Sequence, residues 1–313
     1  MLQYLIILLD DTATSYCHYD NPKQERRLIA LDDLKAAILF AMKENLMIQF
    51  VYPGYELPAA YKTEIETIDH NKIAPSAANT GRAEVVVFNG WNDFRNDFFS
   101  SEKAFVLRTS RQELFANYRK ISGALEKIAR LNVVISDVDR FTEADFVRYK
   151  NLLDEWRLAV KDLYAKGLSP QLNILTDRLM LDKTNHCNAG IENVTLAPDG
   201  KFYICPAFYL EDESDSVGDL INGLNIKNKQ LYKLDYAPLC RNCDAYQCKR
   251  CVWLNRKTTL EVNTPSHEQC VMAHLERNAS RNLLLDLQLL GAWKDKSIAA
   301  IDYLDPFEIK EKF

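Results

Sequence analysis

A chain of 313 residues has the length of about two domains, and with 47% of them apolar it can bury sizeable cores. A formal net charge of -5 speaks against nucleic acid as the main partner. The opening MLQYLIILLDD has no basic stretch and meets acids at once, which makes a poor secretion signal, and no apolar run approaches a membrane span. The expectation is a cytoplasmic protein without a membrane partner.

From Tyr4 to Thr176, strand-like and helix-like segments alternate, which predicts βα units and a parallel sheet. Tyr4–Leu9 is a continuous apolar run, as in a strand buried on both faces. Leu31–Leu46 follows at helical spacing, with Leu34, Ile38, Phe40, Ala41 and Leu46 on a broad apolar face. Met47–Tyr52, Glu84–Phe88, Ala104–Arg108 and Asn132–Ser136 read as strands, and Gln112–Ala129 as one long helix. Thr142, three residues before Asp145, is placed to cap a helix that ends at Gly167. Gln171–Thr176 reads as a sixth strand, while residues 54–80 carry no assignable pattern. Val194–Leu196 and Phe202–Ile204 flank Pro198-Asp199-Gly200 and read as a β-hairpin. A leucine pattern from about Val271 to Trp293 predicts a final helix.

Seven of the eight cysteines lie between 187 and 270: Cys187, then Cys205, then Cys240-x2-Cys243-x4-Cys248-x2-Cys251, then Cys270. Thiolates are soft ligands that suit zinc and iron–sulfur clusters, and each such site needs about four of them. A CxxC turn delivers two ligands for the closure of one small loop. Disulfides would need an oxidising compartment, and free structural thiols fit the clustering poorly. Zinc is the serious rival to iron–sulfur. Two zinc knuckles would place about 15 residues between their CxxC pairs, whereas four separate them here.

The order Cys187…Gly200-x4-Cys205, the four-cysteine run and the lone Cys270 resembles the SPASM domain found behind the radical SAM core of peptide-modifying enzymes. The family's run is C-x2-C-x5-C-x3-C, so both later spacings are one residue shorter here. The resemblance implies two auxiliary 4Fe–4S clusters. Cys187, Cys205 and Cys251 would serve the first, and Cys240, Cys243, Cys248 and Cys270 the second. The first set then has three thiolates and an open position, which His186 or a peptide ligand would fill; the competing reading of His186 is a solvated loop histidine.

The same resemblance implies an α/β fold with a partial TIM-like (βα)6 barrel of radical SAM type over residues 1–182. A small cysteine-rich SPASM domain would follow over 183–275, then a C-terminal helix and tail over 276–313. Radical SAM chemistry uses C-x3-C-x2-C after the first strand. Here that spacing starts at Cys17 and falls on Asn21 and Gln24, and one thiolate cannot hold a cubane, so the barrel reads as degenerate. LDDTATSYCHYDNPK with ENLMIQFVYPGYELP resembles the CXXX repeat peptide maturase family, which occurs beside cysteine-repeat precursor peptides. That resemblance implies work on a cysteine-rich precursor peptide, alone or with a partner maturation enzyme, as a modifying protein or as its accessory. The alternative is a zinc-stabilised peptide-binding scaffold without redox chemistry.

Weaker candidates surround these. Asp10 and Asp11 end the first strand, where α/β proteins place ligands, but water-facing strand ends carry acids as well. His18, Tyr19 and Asp20 lie in the following loop, where a histidine side chain could serve as an acid or base. His267 and His274 flank Cys270, where surface or supporting roles are the commoner ones. Phe88, Trp91, Phe94, Phe98 and Phe99 read as core or lid packing in preference to a peptide groove.

Overall fold

The computed structural model describes residues 1–78, 81, 83–184 and 186–298; the end of the expected C-terminal tail, 299–313, lies outside them. In chain order the main elements are β1 (Tyr4–Leu8), α1 (Leu31–Lys43), β2 (Met47–Val51), α2 (Ala59–Ile65), β3 (His70–Pro75) and β4 (Val85–Asn89). Next come β5 (Ala104–Thr109), α3 (Arg111–Asn117), α4 (Arg119–Ala124), β6 (Arg130–Ile135), α5 (Glu143–Ala165), β7 (Gln171–Leu172) and α6 (Asn173–Met180). The rest are β8 (Asn193–Leu196), β9 (Phe202–Tyr203), α7 (Pro206–Glu211), α8 (Val252–Thr259) and α9 (His267–Leu289). No described helix is long and apolar enough to cross a membrane.

The chain divides into two compact units. The first, Met1–Asn89 with Asn188–Tyr236, holds strands in the order β4-β3-β2-β1-β8-β9. All neighbours are parallel except the β8–β9 hairpin. β1 lies between β2 and β8, with Leu5 opposite Ile48 and Val194, and Ile7 opposite Phe50 and Leu196. A strand so enclosed needs apolar side chains on both faces, hence its unbroken YLIIL. α1 closes one face with Leu34, Ala37, Ile38 and Ala41, a stripe at helical spacing. It ends where Asn45 takes φ 53°, a left-handed position that asparagine tolerates. The unassigned stretch contains α2 and β3, whose first three residues are more exposed and whose last three, Ile73–Pro75, are all buried, so it shows no alternation.

The second unit, Gly90–Cys187 with the chain from Ala237 on, carries β5, β6 and β7 in parallel, with Val106 opposite Asn132 and Leu107 opposite Val133. The segment read as a sixth strand pairs only at Gln171 and Leu172, and Asn173–Met180 is helix. Asn173 explains the switch. Its side-chain oxygen accepts from Val133 N at 2.9 Å and its Nδ2 donates to Val133 O at 3.0 Å, so an amide side chain finishes the ladder in place of backbone. The expected long helix is two, α3 and α4, broken at Tyr118; Asn117 Nδ2 competes there for the Glu113 carbonyl at 2.9 Å. α5 starts at the Thr142–Asp145 capping box and α9 at a Ser266–Gln269 box. The two helices are joined by Tyr149 Oη donating to Glu276 Oε1 at 2.8 Å and by an Arg157–Asp286 ion pair. The aromatic run after β4 is core. Trp91 and Phe94 are buried, Phe94 packs on Phe99 at 4.9 Å between ring centres, and Trp91 Nε1 donates to Thr109 Oγ1 at 2.7 Å.

Candidate metal centre

In the second unit the four-cysteine run is a chain of tight turns. Cys240 N donates to Ala237 O, Cys243 N to Cys240 O and Cys248 N to Ala245 O, each at 3.0–3.1 Å. Arg250 then takes φ 42°, a left-handed conformation rare for a bulky residue, which redirects the chain so that Cys251 caps α8. The run is held to the helices by a buried ion cluster. Asp244, next to Cys243, is 3% exposed. It accepts from Arg178 Nη2 of α6 at 2.7 Å and from Arg277 Nη1 of α9 at 3.1 Å, with Arg281 at 3.8 Å. Arg178 Nε also donates to the Asp244 carbonyl at 2.8 Å. Gln247 Nε2 donates to Ala273 O at 2.8 Å, a second tie to α9.

These anchors set out the thiols. Cys240, Cys243 and Cys248 act on one another electrostatically, as do Cys187 and Cys251. The Cys187 backbone is tied to the run by its N–H donating to Lys249 O at 3.4 Å. Cys270 lies in the first turn of α9, four residues before His274, so helical spacing puts both on one face. His274 Nε2 is 3.5 Å from Cys243 Sγ. Cys205 belongs to the first unit, where it caps α7 after the β8–β9 hairpin. At the hairpin turn Gly200 has φ 77°, and a Cβ there would sit 3.1 Å from the Asp33 carboxylate. As the side chains stand, no three His, Cys, Asp or Glu among the described residues converge as ligands of one ion.

The donor chemistry fits a thiolate-bound metal group. Burial pushes Cys240 up to about 11, and Cys248 and Cys251 up to about 12, so all three are neutral thiols until a metal displaces their protons. Arg250, 2% exposed, feels the charges of Cys240, Cys187 and Cys248, and burial lowers its own pKa. A guanidinium in that position would offset the negative charge of metal-bound thiolates.

His186 is not a solvated loop residue. It is 8% exposed, and neither ring nitrogen has a hydrogen-bond partner. Burial, then the Arg250 charge, pull it down to about 4, with the Thr184 backbone opposing them. His267, in contrast, is exposed, 4.0 Å from the Glu143 carboxylate and edge-on to Phe146.

In the first unit both candidate acids are taken up by structure. Asp10 accepts from Thr12 N at 2.8 Å and from Tyr55 Oη at 2.8 Å. Asp11 accepts from Tyr209 Oη and pairs with Arg27 Nε at 3.1 Å. Burial and the Asp11 charge together push the Tyr209 hydroxyl far up, so it stays a donor. Arg27 also pairs with Glu213 at 2.9 Å. Tyr55, Tyr209, Arg27 and Glu213 carried no sequence signal, because isolated tyrosines and surface-type charges have no spacing that marks them. Asn21, at the second position of the cysteine spacing, stitches this loop. Its Nδ2 donates to Asp11 O at 2.7 Å and Ala13 O at 2.9 Å, while Lys23 N donates to its Oδ1 at 3.0 Å. Cys17 is half-buried in the same loop, and Tyr19 is buried edge-on to Tyr16 at 6.0 Å.

No protein-family model and no curated protein matches the chain. Among solved structures it is similar to anSMEcpe with bound AdoMet, at a TM-score of 0.64 and 11% identity, covering 92% of this chain and 95% of that one. It is also similar to anSMEcpe with bound AdoMet and the Cp18Cys peptide, at a TM-score of 0.63 and 12% identity, covering 92% and 99%. SuiB of Streptococcus suis bound to its precursor peptide SuiA aligns at a TM-score of 0.45 and 12% identity, over 86% and 76%. The chain therefore has the α/β fold of the radical SAM, TIM-like type.

Proposed function

We propose that this chain acts in the maturation of a ribosomally made, cysteine-rich peptide, as a cytoplasmic iron–sulfur protein lacking its own S-adenosylmethionine cluster. The observation that carries this reading is the arrangement of thiols around Arg250, on a fold shared with anSMEcpe, whose structure holds a Cp18Cys peptide. In this reading Cys187, Cys205 and Cys251 hold one 4Fe–4S cluster, and Cys240, Cys243, Cys248 and Cys270 the other, in a SPASM-like segment over 183–275. Bound clusters supply electron transfer and, at an iron with a free position, a Lewis acid for a peptide thiolate. The chain's own contribution is to fix the run through Asp244 and Gln247 and to offset thiolate charge with Arg250.

The absence of a cleavage cluster is supported by Cys17, Asn21 and Gln24. A single thiolate stands where three are needed, and the Asn21 amide is committed to backbone partners. The chain is accordingly an accessory that binds and presents the precursor, or an enzyme acting with a partner maturase. A second reading, a zinc-stabilised peptide scaffold, draws on the same observation, since Cys240, Cys243, Cys248 and Cys270 are enough for one tetrahedral zinc.

Iron, sulfide and zinc content after anaerobic purification separates them. About eight irons per chain supports two cubanes, and zinc without iron leaves the scaffold. Precursor peptide that binds with unchanged mass marks an accessory, and a changed mass marks an enzyme. Formation of 5′-deoxyadenosine by this chain alone would overturn the missing-cluster argument.

A further inference from the structure

We infer that Arg178 and Arg281 form a binding site for a carboxylate from outside the chain, such as an acidic side chain of a peptide. The site lies wholly in the second unit and does not depend on what the cysteines bind. Three guanidinium groups converge there on one carboxylate. Arg178 of α6 and Arg277 of α9 take the two oxygens of Asp244, at 2.7 Å on Oδ2 and 3.1 Å on Oδ1. Asp244 is thereby satisfied, and the imbalance lies on the arginine side. Arg281, one turn beyond Arg277, brings its Nη2 to 3.8 Å from the Oδ2 that Arg178 already holds, too far for a hydrogen bond. Like charges four residues apart on one helix face repel. Burial first, then the charges of Arg281 and Arg277, lower the Arg178 pKa against the pull of Asp244.

The second observation is a donor without an acceptor. Arg178 is 1% exposed; its Nε donates to the Asp244 carbonyl at 2.8 Å and its Nη2 to the carboxylate, but Nη1 has no hydrogen-bond partner. A buried charged N–H in that state is expensive, and native interiors rarely keep one. Arg281 is half exposed, so the group is open to water on that side. A guanidinium presents a planar fork that matches a carboxylate in two parallel hydrogen bonds, and Asp244 shows this cluster already receiving that group. A second carboxylate at Arg281 supplies an acceptor beside the Arg178 guanidinium and relieves the repulsion between the two cations.

The test uses the full chain as purified anaerobically, melted in rising acetate with chloride removed to hold ionic strength constant. Acetate should raise Tm, and the same titration followed by the line width of 13C-acetate should give the affinity. Arg281→Gln sits at a half-exposed position and should weaken that affinity by about tenfold or more, the usual loss for a charged hydrogen bond. Arg281→Lys keeps the charge without the fork and should fall between the two. Lys150→Gln, which removes an exposed cation elsewhere in the same unit, should change nothing. No effect of acetate beyond that of chloride, or equal affinity in Arg281→Gln and wild type, overturns the site. Stabilisation by inorganic phosphate with acetate inert overturns the carboxylate assignment. Iron or zinc content has no bearing on any of these outcomes.

Discussion

Asp244→Asn is the perturbation with the largest effect that the structure supports. The substitution keeps size and shape but removes the single negative charge between Arg178 and Arg277, which are 1% and 0% exposed. Asparagine offers one oxygen where the carboxylate offered two, so one of the two contacts at 2.7 Å and 3.1 Å loses its acceptor. Removing one partner of a buried ion pair typically costs about 3–5 kcal/mol, because the charge left behind stays desolvated. Burial lowers the Arg178 pKa and Asp244 opposes it, so this carboxylate is what compensates the desolvated guanidinium. The assay is urea unfolding followed by far-UV circular dichroism, with wild type, Asp244→Asn, Arg277→Met and the double variant forming a cycle. The double variant should be less destabilised than the sum of the single variants, since taking away one arginine relieves the uncompensated charge. Asp244→Asn within about 1 kcal/mol of wild type, or strict additivity in the cycle, would refute the claim that this cluster is held by charge.

Glu276 gives a pH dependence. Burial pushes its carboxyl from 4.5 up to about 7, against donation from Tyr149 and Gln247. The folded-state value is raised, so the native protein keeps a proton that the unfolded chain releases; stability is full below about 4.5 and falls as pH rises to about 7. Glu276→Gln should flatten that slope, which amounts to about 3 kcal/mol, and melts across this window would show the slope unchanged if the assignment is wrong. Cys17→Ser should leave metal content as in wild type, whereas Cys240→Ser should lose about half of eight irons; metal analysis of the two variants decides. Tyr209→Phe removes the hydroxyl that Asp11 accepts while leaving Arg27 in place, and should cost about 2 kcal/mol. Chemical denaturation equal to wild type would mean that Arg27 alone satisfies Asp11.

Strands β1, β2, β4, β5 and β6 were legible because each is a short apolar block between turn residues, and the β8–β9 hairpin because Pro198-Asp199-Gly200 dictates its turn. β3 was not, since His70, Asn71 and Lys72 stand at its start and only Ile73–Pro75 is buried. Gln171–Thr176 misled for a different reason. QLNILT carries strand-like residues, but the outcome turns on one asparagine side chain imitating a peptide group across the sheet, a tertiary event with no local signature. In the candidate centre the cysteines announced themselves by spacing. Their supports did not: Asp244, Arg178, Arg277 and Glu276 look in sequence like ordinary surface charges, and only the structure shows the first three buried and Glu276 half-buried. The burial of His186 was equally hidden, because a loop position carries no information about burial.

The supports and the thiols follow one electrostatic logic. Around Asp244 a buried negative charge is balanced by buried guanidinium groups, with no ligand needed. Around Arg250 the charges that act on the guanidinium come from sulfur atoms, and burial keeps Cys240, Cys248 and Cys251 protonated at neutral pH. On the proposed metal reading, a bound metal would displace those protons and set thiolate charge beside Arg250, so part of the binding free energy would be realised as folding free energy. By that argument Arg250→Leu should stabilise the metal-free chain slightly while weakening metal retention. If the same substitution strengthened retention in a competition with a chelator, the guanidinium would be no counter-charge for thiolates, and the metal reading of the cysteine run would lose its electrostatic support.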